Sequence, residues 1–339
     1  MHQSHDIRRT LTASIPQSSE ALVVGKYSQH VQPSSIPDST APAVASLIGN
    51  TPLIPLQRLT GCLSSDVTLH VKLEGLNPGG SVKDRAALFI VRRAIEDGNL
   101  VPGRTLLDAT SGNTGIAYAM LGAALGFSVQ LLLPADASRE RVQILRAYGA
   151  QLTFTDSAER TDGARRAARE LADAQPERFF YADQYDNPAN PLAHAVTTGP
   201  EIWSQTEGRV THFVAGIGTG GTVTGVGTYL KTRNSEVRVV GVQPDEPRHG
   251  IAGLKHLKTA QTPVNYDPTL VDLIAEVSSA EARDMARRLA RLEGLFVGVS
   301  AAAAVVAALR AGRTLKRGFL VVLLPDGGFK YTSGSFWAE

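Results

Sequence analysis

The chain has 339 residues, 43% of them hydrophobic and 19% charged, a composition typical of a globular protein with a large core. Its formal net charge of +2 is too small to favour a nucleic acid or a membrane surface as a partner. The single cysteine, Cys62, excludes an intrachain disulfide and a multi-cysteine metal site, and it suits a reducing, cytoplasmic compartment.

The first 45 residues differ in composition from the rest of the chain. They are rich in Ser, Gln, His and Pro, and they show neither helical nor strand periodicity. They also lack the apolar segment that a secretory signal needs. We therefore predict a flexible N-terminal extension over residues 1–45, with a segment that clasps another subunit as the alternative.

From about residue 47 the pattern alternates between apolar strands and helices. Strands are predicted at residues 68–73, 105–108, 128–133, 151–155, 211–215, 237–242 and 319–324. Helices are predicted from residue 81, over 114–125, 138–148, 159–174, 191–205 and 222–231, from 279, and after 300. Apolar strands separated by helices indicate parallel sheets covered on both faces, so we predict two α/β domains that meet at a cleft.

A glycine-rich turn at residues 77–80 precedes the first long helix, for which Ser81 is the candidate N-cap. Lys83 then lies in the first turn, where the partial positive charge of a helix N-terminus lowers the pKa of an amine. A lysine that is deprotonated near neutral pH can form a Schiff base. The alternative interpretation is an exposed surface lysine.

A second loop joins a predicted strand to a predicted helix at residues 108–115. Hydroxyls, an amide and backbone N–H groups at a helix N-terminus suit a ligand carboxylate, although an ordinary polar turn capped by Thr114 is the alternative. The candidate residues are Thr110, Ser111, Gly112, Asn113 and Thr114. Gln184 lies in a polar turn at 183–190 and can reach a ligand, although ordinary turn chemistry is the alternative.

Residues 216–222 follow a strand, open a helix and formally satisfy the dinucleotide pattern G-x-G-x-x-G. An NAD-dependent oxidoreductase is therefore one alternative. A dinucleotide site needs an acid at the end of the next strand, and that strand ends in Val242-Gln-Pro instead. A single phosphate held by backbone N–H groups with Thr219 and Thr222 fits better.

The remaining polar residues carry weaker signals. Ser300 stands at a helix start, where N-capping is the simpler interpretation. No metal site is predicted, because the histidines lack ligand spacing, and we interpret three of them as surface or capping residues: His194, His249 and His256. Four arginines are assigned to solvated helix faces: Arg139, Arg141, Arg165 and Arg166.

One Schiff-base lysine, one phosphate cup and one carboxylate loop together match the needs of pyridoxal phosphate and an amino-acid substrate. The motifs that carry them resemble those of the fold-type II pyridoxal-phosphate enzymes, and within these the cysteine synthases, from about residue 47 to residue 331. The resemblance implies a tryptophan synthase β-like fold, α/β with two three-layer domains of mostly parallel, twisted sheets. The domains would cover 46–190 and 191–339, with part of residues 50–75 crossing to the other domain.

The resemblance also implies roles for individual residues. Lys83 would carry the internal aldimine and act as general base at the substrate Cα. Asn113 would meet the cofactor's phenolic oxygen and Ser300 its pyridine nitrogen. The phosphate cup would consist of Gly218, Thr219, Gly220, Gly221 and Thr222. The substrate would contact Thr110, Ser111, Gly112, Asn113, Thr114 and Gln184.

The implied reaction is β-replacement on an O-activated L-serine, either O-acetylserine or O-phosphoserine, through an aminoacrylate intermediate. A hydroxyl such as that of Ser300 does not keep the pyridine nitrogen protonated, so elimination from the β-carbon is favoured over a long-lived carbanion. Sulfide as nucleophile would give L-cysteine. The implied partners are a small amino-acid substrate and a small nucleophile, in a homodimer.

Two stretches bear on the subtype. Residues 248–256 and 266–268 look more like the B-type cysteine synthases, and Arg248 is a candidate for binding a donor phosphate or an anionic nucleophile. Residues 301–303 and 324–330 depart from the usual family pattern, which leaves the nucleophile open. A synthase of other β-substituted alanines and a catalytically inactive scaffold relative are the alternatives.

Overall fold

The computed structural model describes residues 43–110 and 112–337, so nearly all of the predicted N-terminal extension lies outside the described residues. The helices are α1 Lys83–Glu96, α2 Asn113–Leu125, α3 Arg139–Ala147, α4 Arg160–Ala174, α5 Ala189–Ala193, α6 Gly199–Gln205, α7 Gly221–Arg233, α8 Ser279–Arg288 and α9 Val299–Arg313. The strands are β1 Leu53–Pro55, β2 Val67–Leu73, β3 Thr105–Ala109, β4 Val129–Pro134, β5 Gln151–Thr155, β6 Phe179–Tyr181, β7 His212–Gly216, β8 Arg238–Pro244, β9 Leu273–Val277 and β10 Gly318–Leu324.

The larger sheet has six strands in the order β1-β2-β10-β7-β8-β9. Its pairs are parallel except β1 with β2, which is antiparallel. Strand β10 lies between β2 and β7, with Gly318 opposite Val67 and Leu324 opposite Leu73. Residues 53–73 therefore join a sheet that is otherwise built from the second half of the chain. The domain boundary near residue 190 stays a prediction.

The smaller sheet has four parallel strands in the order β5-β4-β3-β6. Successive residues of a strand point to opposite faces. Leu106 of β3 accordingly packs in one core with Ile90 of α1, and Leu107 packs in another with Ala164 of α4. The sheet is covered on both faces, so the α/β prediction is confirmed. Among the described residues, none of the helices combines the length and the apolar character needed to cross a membrane.

Several elements differ from the sequence predictions. The strands β1, β6 and β9 were not predicted, and β1 and β6 have only three residues each, too few to show a periodicity of their own. The single helix predicted over 191–205 is interrupted by a π-helical turn, His194–Thr198, between α5 and α6. Ser81 is not the N-cap of α1: Val82 takes that position, and the Ser81 hydroxyl accepts the Lys83 backbone N–H at 3.2 Å.

Candidate functional site

A cavity lies where loops from the carboxyl ends of strands in both sheets converge, the usual place for a ligand in an α/β protein. Its lining includes Lys83, the loop before α2, the glycine loop before α7, and Ser300. These segments lie far apart in the sequence. The structure therefore brings the predicted lysine, carboxylate loop and phosphate cup to one place.

Lys83 is the first residue of α1, and its side chain is half-buried in the cavity. Burial lowers the pKa of the Lys83 amine, while the carboxylates of Asp326 and Glu74 oppose that shift. The direction of the shift agrees with the sequence prediction, but desolvation is its largest cause. A lowered pKa increases the fraction of neutral amine, which is the form that can act as nucleophile or base.

The loop before α2 presents hydroxyls and an amide to the cavity. Thr110 and Gln184 are both buried, and the Thr110 hydroxyl accepts the Gly112 N–H at 3.2 Å. Thr114 donates its hydroxyl to Gln184 Oε1 at 2.5 Å, which fixes the Gln184 amide. The predicted substrate residue Ser111 lies outside the described part of the chain.

The buried carboxylate of Asp108 stabilises this loop through hydrogen bonds to backbone N–H groups. Its carboxylate accepts the Ala109 N–H at 2.7 Å and the Gln184 N–H at 3.3 Å. Burial raises the pKa of Asp108 to about 7. Asp108 thus connects the end of β3 to the turn that carries Gln184. The sequence placed Asp108 at the start of the loop but did not predict this connection.

The glycine loop before α7 exposes its backbone, because Gly218, Gly220 and Gly221 carry no side chains, and it forms a cradle with Thr219 and Thr222. Gly220 is the helix N-cap with φ +81°, and a Cβ there would lie 2.6 Å from the Cα of Tyr266. A Cβ on Gly218 would collide with the Gly253 carbonyl oxygen. No side chain caps α7, so its first turn offers N–H groups to an anion, although the Gly221 N–H also donates to the Thr219 hydroxyl at 3.4 Å. Gly218, Thr219, Gly220 and Thr222 line the cavity, whereas Gly221 is buried against Asn190.

The assignment of His194 to the surface is wrong. Its imidazole is buried, and burial followed by the charges of Arg85 and Lys83 lowers its pKa well below the ordinary value. Its Nε2 lies 3.3 Å from the Thr222 hydroxyl, and its Nδ1 lies 2.9 Å from the Thr198 hydroxyl. A neutral His194 therefore holds one hydroxyl of the cradle.

Ser300 is buried and is the second residue of α9, whose N-cap is Gly298 without a side-chain bond. The capping interpretation of Ser300 is therefore wrong. Its side chain lies among the cavity residues, and its hydroxyl can accept or donate a hydrogen bond there.

The arginines differ most from expectation. Arg248 has an exposed side chain and does not line the cavity. Arg141, which was assigned to a solvated helix face, is only 9% exposed and does line it, with its guanidinium 4.8 Å from the Tyr331 ring centroid. Arg165 is also buried, beside Asp183 and Asp186. Helix periodicity alone did not identify these burials.

Comparisons with known proteins give the following results. Residues 44–326 match the family model for pyridoxal-phosphate dependent enzymes. The chain is 48% identical over 301 residues to a cysteine synthase of Aquifex aeolicus, covering 87% of this chain and 92% of the relative. It is 46% identical over 296 residues to cysteine synthase B of Pseudomonas aeruginosa, covering 87% and 97%.

Two solved structures are similar along most of their length. O-acetyl serine sulfhydrylase isoform 3 of Entamoeba histolytica matches with a TM-score of 0.82 at 34% identity, covering 91% of this chain and 95% of that chain. An O-ureido-L-serine synthase matches with a TM-score of 0.81 at 39% identity, covering 87% and 94%.

Proposed function

The chain belongs to the family of pyridoxal-phosphate-dependent enzymes, and from that premise we propose that it is a cysteine synthase. It replaces the acetoxy group of O-acetyl-L-serine with sulfide to give L-cysteine. The observation that carries the proposal is the convergence of Lys83, the uncapped glycine loop and Ser300 on one cavity. The oxidoreductase alternative is not supported, since β8 ends in Gln243 and Pro244 where a dinucleotide site needs an acid.

The described residues fit pyridoxal phosphate. Lys83 would hold the aldehyde carbon, and the glycine cradle with Thr219 and Thr222 would hold the phosphate, because added Cβ atoms at Gly218 and Gly220 would close the space around that loop. Ser300 would bind the pyridine nitrogen, and Asn113 the phenolic oxygen. When bound, the cofactor supplies a conjugated ring that accepts the electron pair released at the substrate α-carbon.

Lys83 is the proposed general base. Its amine takes the proton from the substrate α-carbon, which requires the neutral form that burial favours. Holding that proton close to the α-carbon also lets Lys83 return it when the product is completed. The cationic guanidinium of Arg141 lies at the same cavity and adds to the field that favours the substrate carboxylate.

The substrate carboxylate is proposed to bind the loop before α2. Thr110, Gly112, Asn113 and Thr114 offer hydroxyl, amide and backbone donors at the positive end of a 13-residue helix. Gln184 adds an amide that Thr114 and the Ala109 carbonyl already orient. We keep Ser111 in this set from its place in the motif.

The donor and nucleophile are tested by mass spectrometry of the products formed by purified protein loaded with pyridoxal phosphate. We expect cysteine from O-acetylserine with sulfide, at a higher rate than from O-phosphoserine. Thiosulfate and amine nucleophiles test the β-substituted-alanine alternative, which the similarity to the O-ureido-L-serine synthase favours. Cofactor binding without any product would instead support the inactive-relative alternative.

Replacing Arg141 with glutamine is expected to raise the KM for O-acetylserine by about 10-fold or more, because hydrogen bonds to charged groups contribute about 1.5–3 kcal/mol. A Cβ placed on Gly112 would lie 3.1 Å from Arg141 Nη1, so the guanidinium packs directly beneath the proposed carboxylate loop. Steady-state kinetics at saturating sulfide give the measurement.

Two further substitutions show whether an increase in KM is specific to Arg141. Arg146→Gln, on the same helix but exposed, is the matched control and should leave KM unchanged. Arg248→Gln tests the sequence prediction for the donor anion. If Arg248→Gln raises KM and Arg141→Gln does not, the assignment to Arg141 is wrong.

We also propose a homodimer in the cytoplasm. The resemblance to cysteine synthases supports the dimer, and the single cysteine suits a reducing compartment. Light scattering coupled to size-exclusion chromatography of the full chain measures the oligomeric state.

A further inference from the structure

Lys330 is a second lysine beside the proposed cofactor site. It belongs to the short helical turn Gly328–Tyr331 after β10, and it is only 8% exposed. Its Nζ donates to the carbonyl oxygens of Gly79 and Gly80, at 2.9 and 3.2 Å, and to Asn113 Oδ1 at 2.8 Å. An ammonium has three N–H donors, so the charged form of Lys330 has an acceptor for each of them.

Asn113 is held at both ends of its amide. Its Oδ1 accepts from Lys330, and its Nδ2 donates to Asp326 Oδ2 at 2.8 Å. An ammonium cannot accept a hydrogen bond, so these two partners fix which end of the amide carries the oxygen. One N–H of Nδ2 remains after the bond to Asp326, and the Asn113 side chain lines the cavity.

The same segment is attached to the loop that carries Lys83. The backbone of Asp326 forms a bridge with that of Ser81, and the Val82 N–H donates to the Pro325 carbonyl at 2.8 Å. Gly80 has φ +79°, and a Cβ there would lie 3.1 Å from Lys330 Nζ. The glycine therefore permits the close approach of Lys330.

We propose that Lys330 and Asp326 are positioning residues that clamp the Asn113 amide so that its remaining N–H reaches the phenolic oxygen of pyridoxal phosphate. The inference rests on the cofactor site of the proposed function. Lys330 also donates hydrogen bonds to the Gly79 and Gly80 carbonyl oxygens. These bonds fix the position of the loop before Lys83 relative to Asn113. The clamp lies in residues 324–330, where the sequence departs from the usual family pattern.

The test is the absorption spectrum of the loaded protein without donor or nucleophile. A hydrogen bond to the phenolic oxygen stabilises its anion, so losing it shifts the bound cofactor from the visible band to the near-ultraviolet band. We expect Lys330→Met and Asp326→Ala each to raise the ratio of near-ultraviolet to visible absorbance by about fivefold, the equivalent of one hydrogen bond. Lys330→Arg keeps the charge and should retain most of the visible band.

Kinetics and a control separate positioning from general damage. Lys330→Met should lower kcat/KM by about 10–100-fold, the loss found when a residue that orients a metal ligand is removed, because Asn113 likewise loses the group that orients it. Lys231→Met removes a lysine that pairs with Asp272 at 2.7 Å outside the cavity, and it should leave both spectrum and rate unchanged.

The outcomes are distinct. Wild-type protein that binds no pyridoxal phosphate contradicts the proposed function, and the clamp with it, because no phenolic oxygen is then present at the site. Wild-type protein that binds it, with a folded Lys330→Met or Asp326→Ala variant of unchanged band ratio, overturns the clamp. The band ratio of either variant alone is sufficient to test the clamp, so the test can still be made if the other variant fails to fold.

Discussion

Replacing Lys83 with alanine is expected to abolish the borohydride-reducible bond between the protein and pyridoxal phosphate and to lower turnover by about 10²–10⁴-fold or more. The expected loss follows from two proposed roles for one amine, which holds the cofactor and moves the α-proton. Absorption spectroscopy and peptide mass mapping after reduction give the first measurement, and the rate of cysteine formation gives the second.

The second lysine at the site, Lys330, is the alternative attachment point that this experiment has to distinguish from Lys83. Lys330 Nζ is committed to three oxygen acceptors, so we do not expect it to replace Lys83 as the attachment point. Lys258→Ala, which removes an exposed lysine, is the control and should behave as wild type. A reduced cofactor found on Lys330 in the wild-type protein would contradict the assignment of Lys83.

Replacing Arg85 with methionine is expected to lower the free energy of unfolding by about 3–5 kcal/mol, the usual cost of removing one partner from a buried ion pair. Arg85 is 1% exposed and bonds to Glu74 at 2.7 Å and to Glu201 at 2.6 Å. Its removal leaves two carboxylates without their main counter-ion. Denaturation in urea measures the change.

The matched control is Arg93→Met on the same helix. Arg93 pairs with Asp97 at 2.7 Å, but both side chains are more than a third exposed, so the expected change is within about 0.5 kcal/mol. Equal destabilisation by the two variants would show that the buried network contributes no more than a surface pair.

The effect of Arg85 should also depend on pH. Burial alone would raise the pKa of Glu201, but its bonds to Arg85 and its attraction to Lys72 lower it to about 2. A carboxyl with a lowered pKa stabilises the fold fully above its ordinary pKa and progressively less as the pH falls through the folded value. The difference between wild type and Arg85→Met should therefore narrow in acid.

The sequence predicted the features that depend on local patterns. Apolar strands such as residues 319–324 were placed to within one residue, and the lysine, carboxylate and glycine loops meet at one cavity. Their residue types carry the same meaning wherever they lie in the chain. Their roles toward cofactor and substrate stay proposals.

The sequence predictions that were wrong concern side chains whose burial depends on residues far away in the sequence. Arg165 is buried beside Asp183 and Asp186. His194 is buried against α7, where its Nε2 lies 3.3 Å from the Thr222 hydroxyl. Neither relation is visible in a helical pattern. The role of Lys330 was not predicted for the same reason, since its three acceptors lie 217 to 251 residues earlier in the chain.

The central position of β10 in the larger sheet has a consequence for synthesis on the ribosome. Strands β2 and β7 both pair with β10, which emerges after every other strand. Until residues 318–324 leave the exit tunnel, both neighbours present open edges of the kind that chaperones shield from aggregation. A nascent chain interrupted before residue 318 would lack the strand that joins them and would be a ready substrate for quality-control proteases.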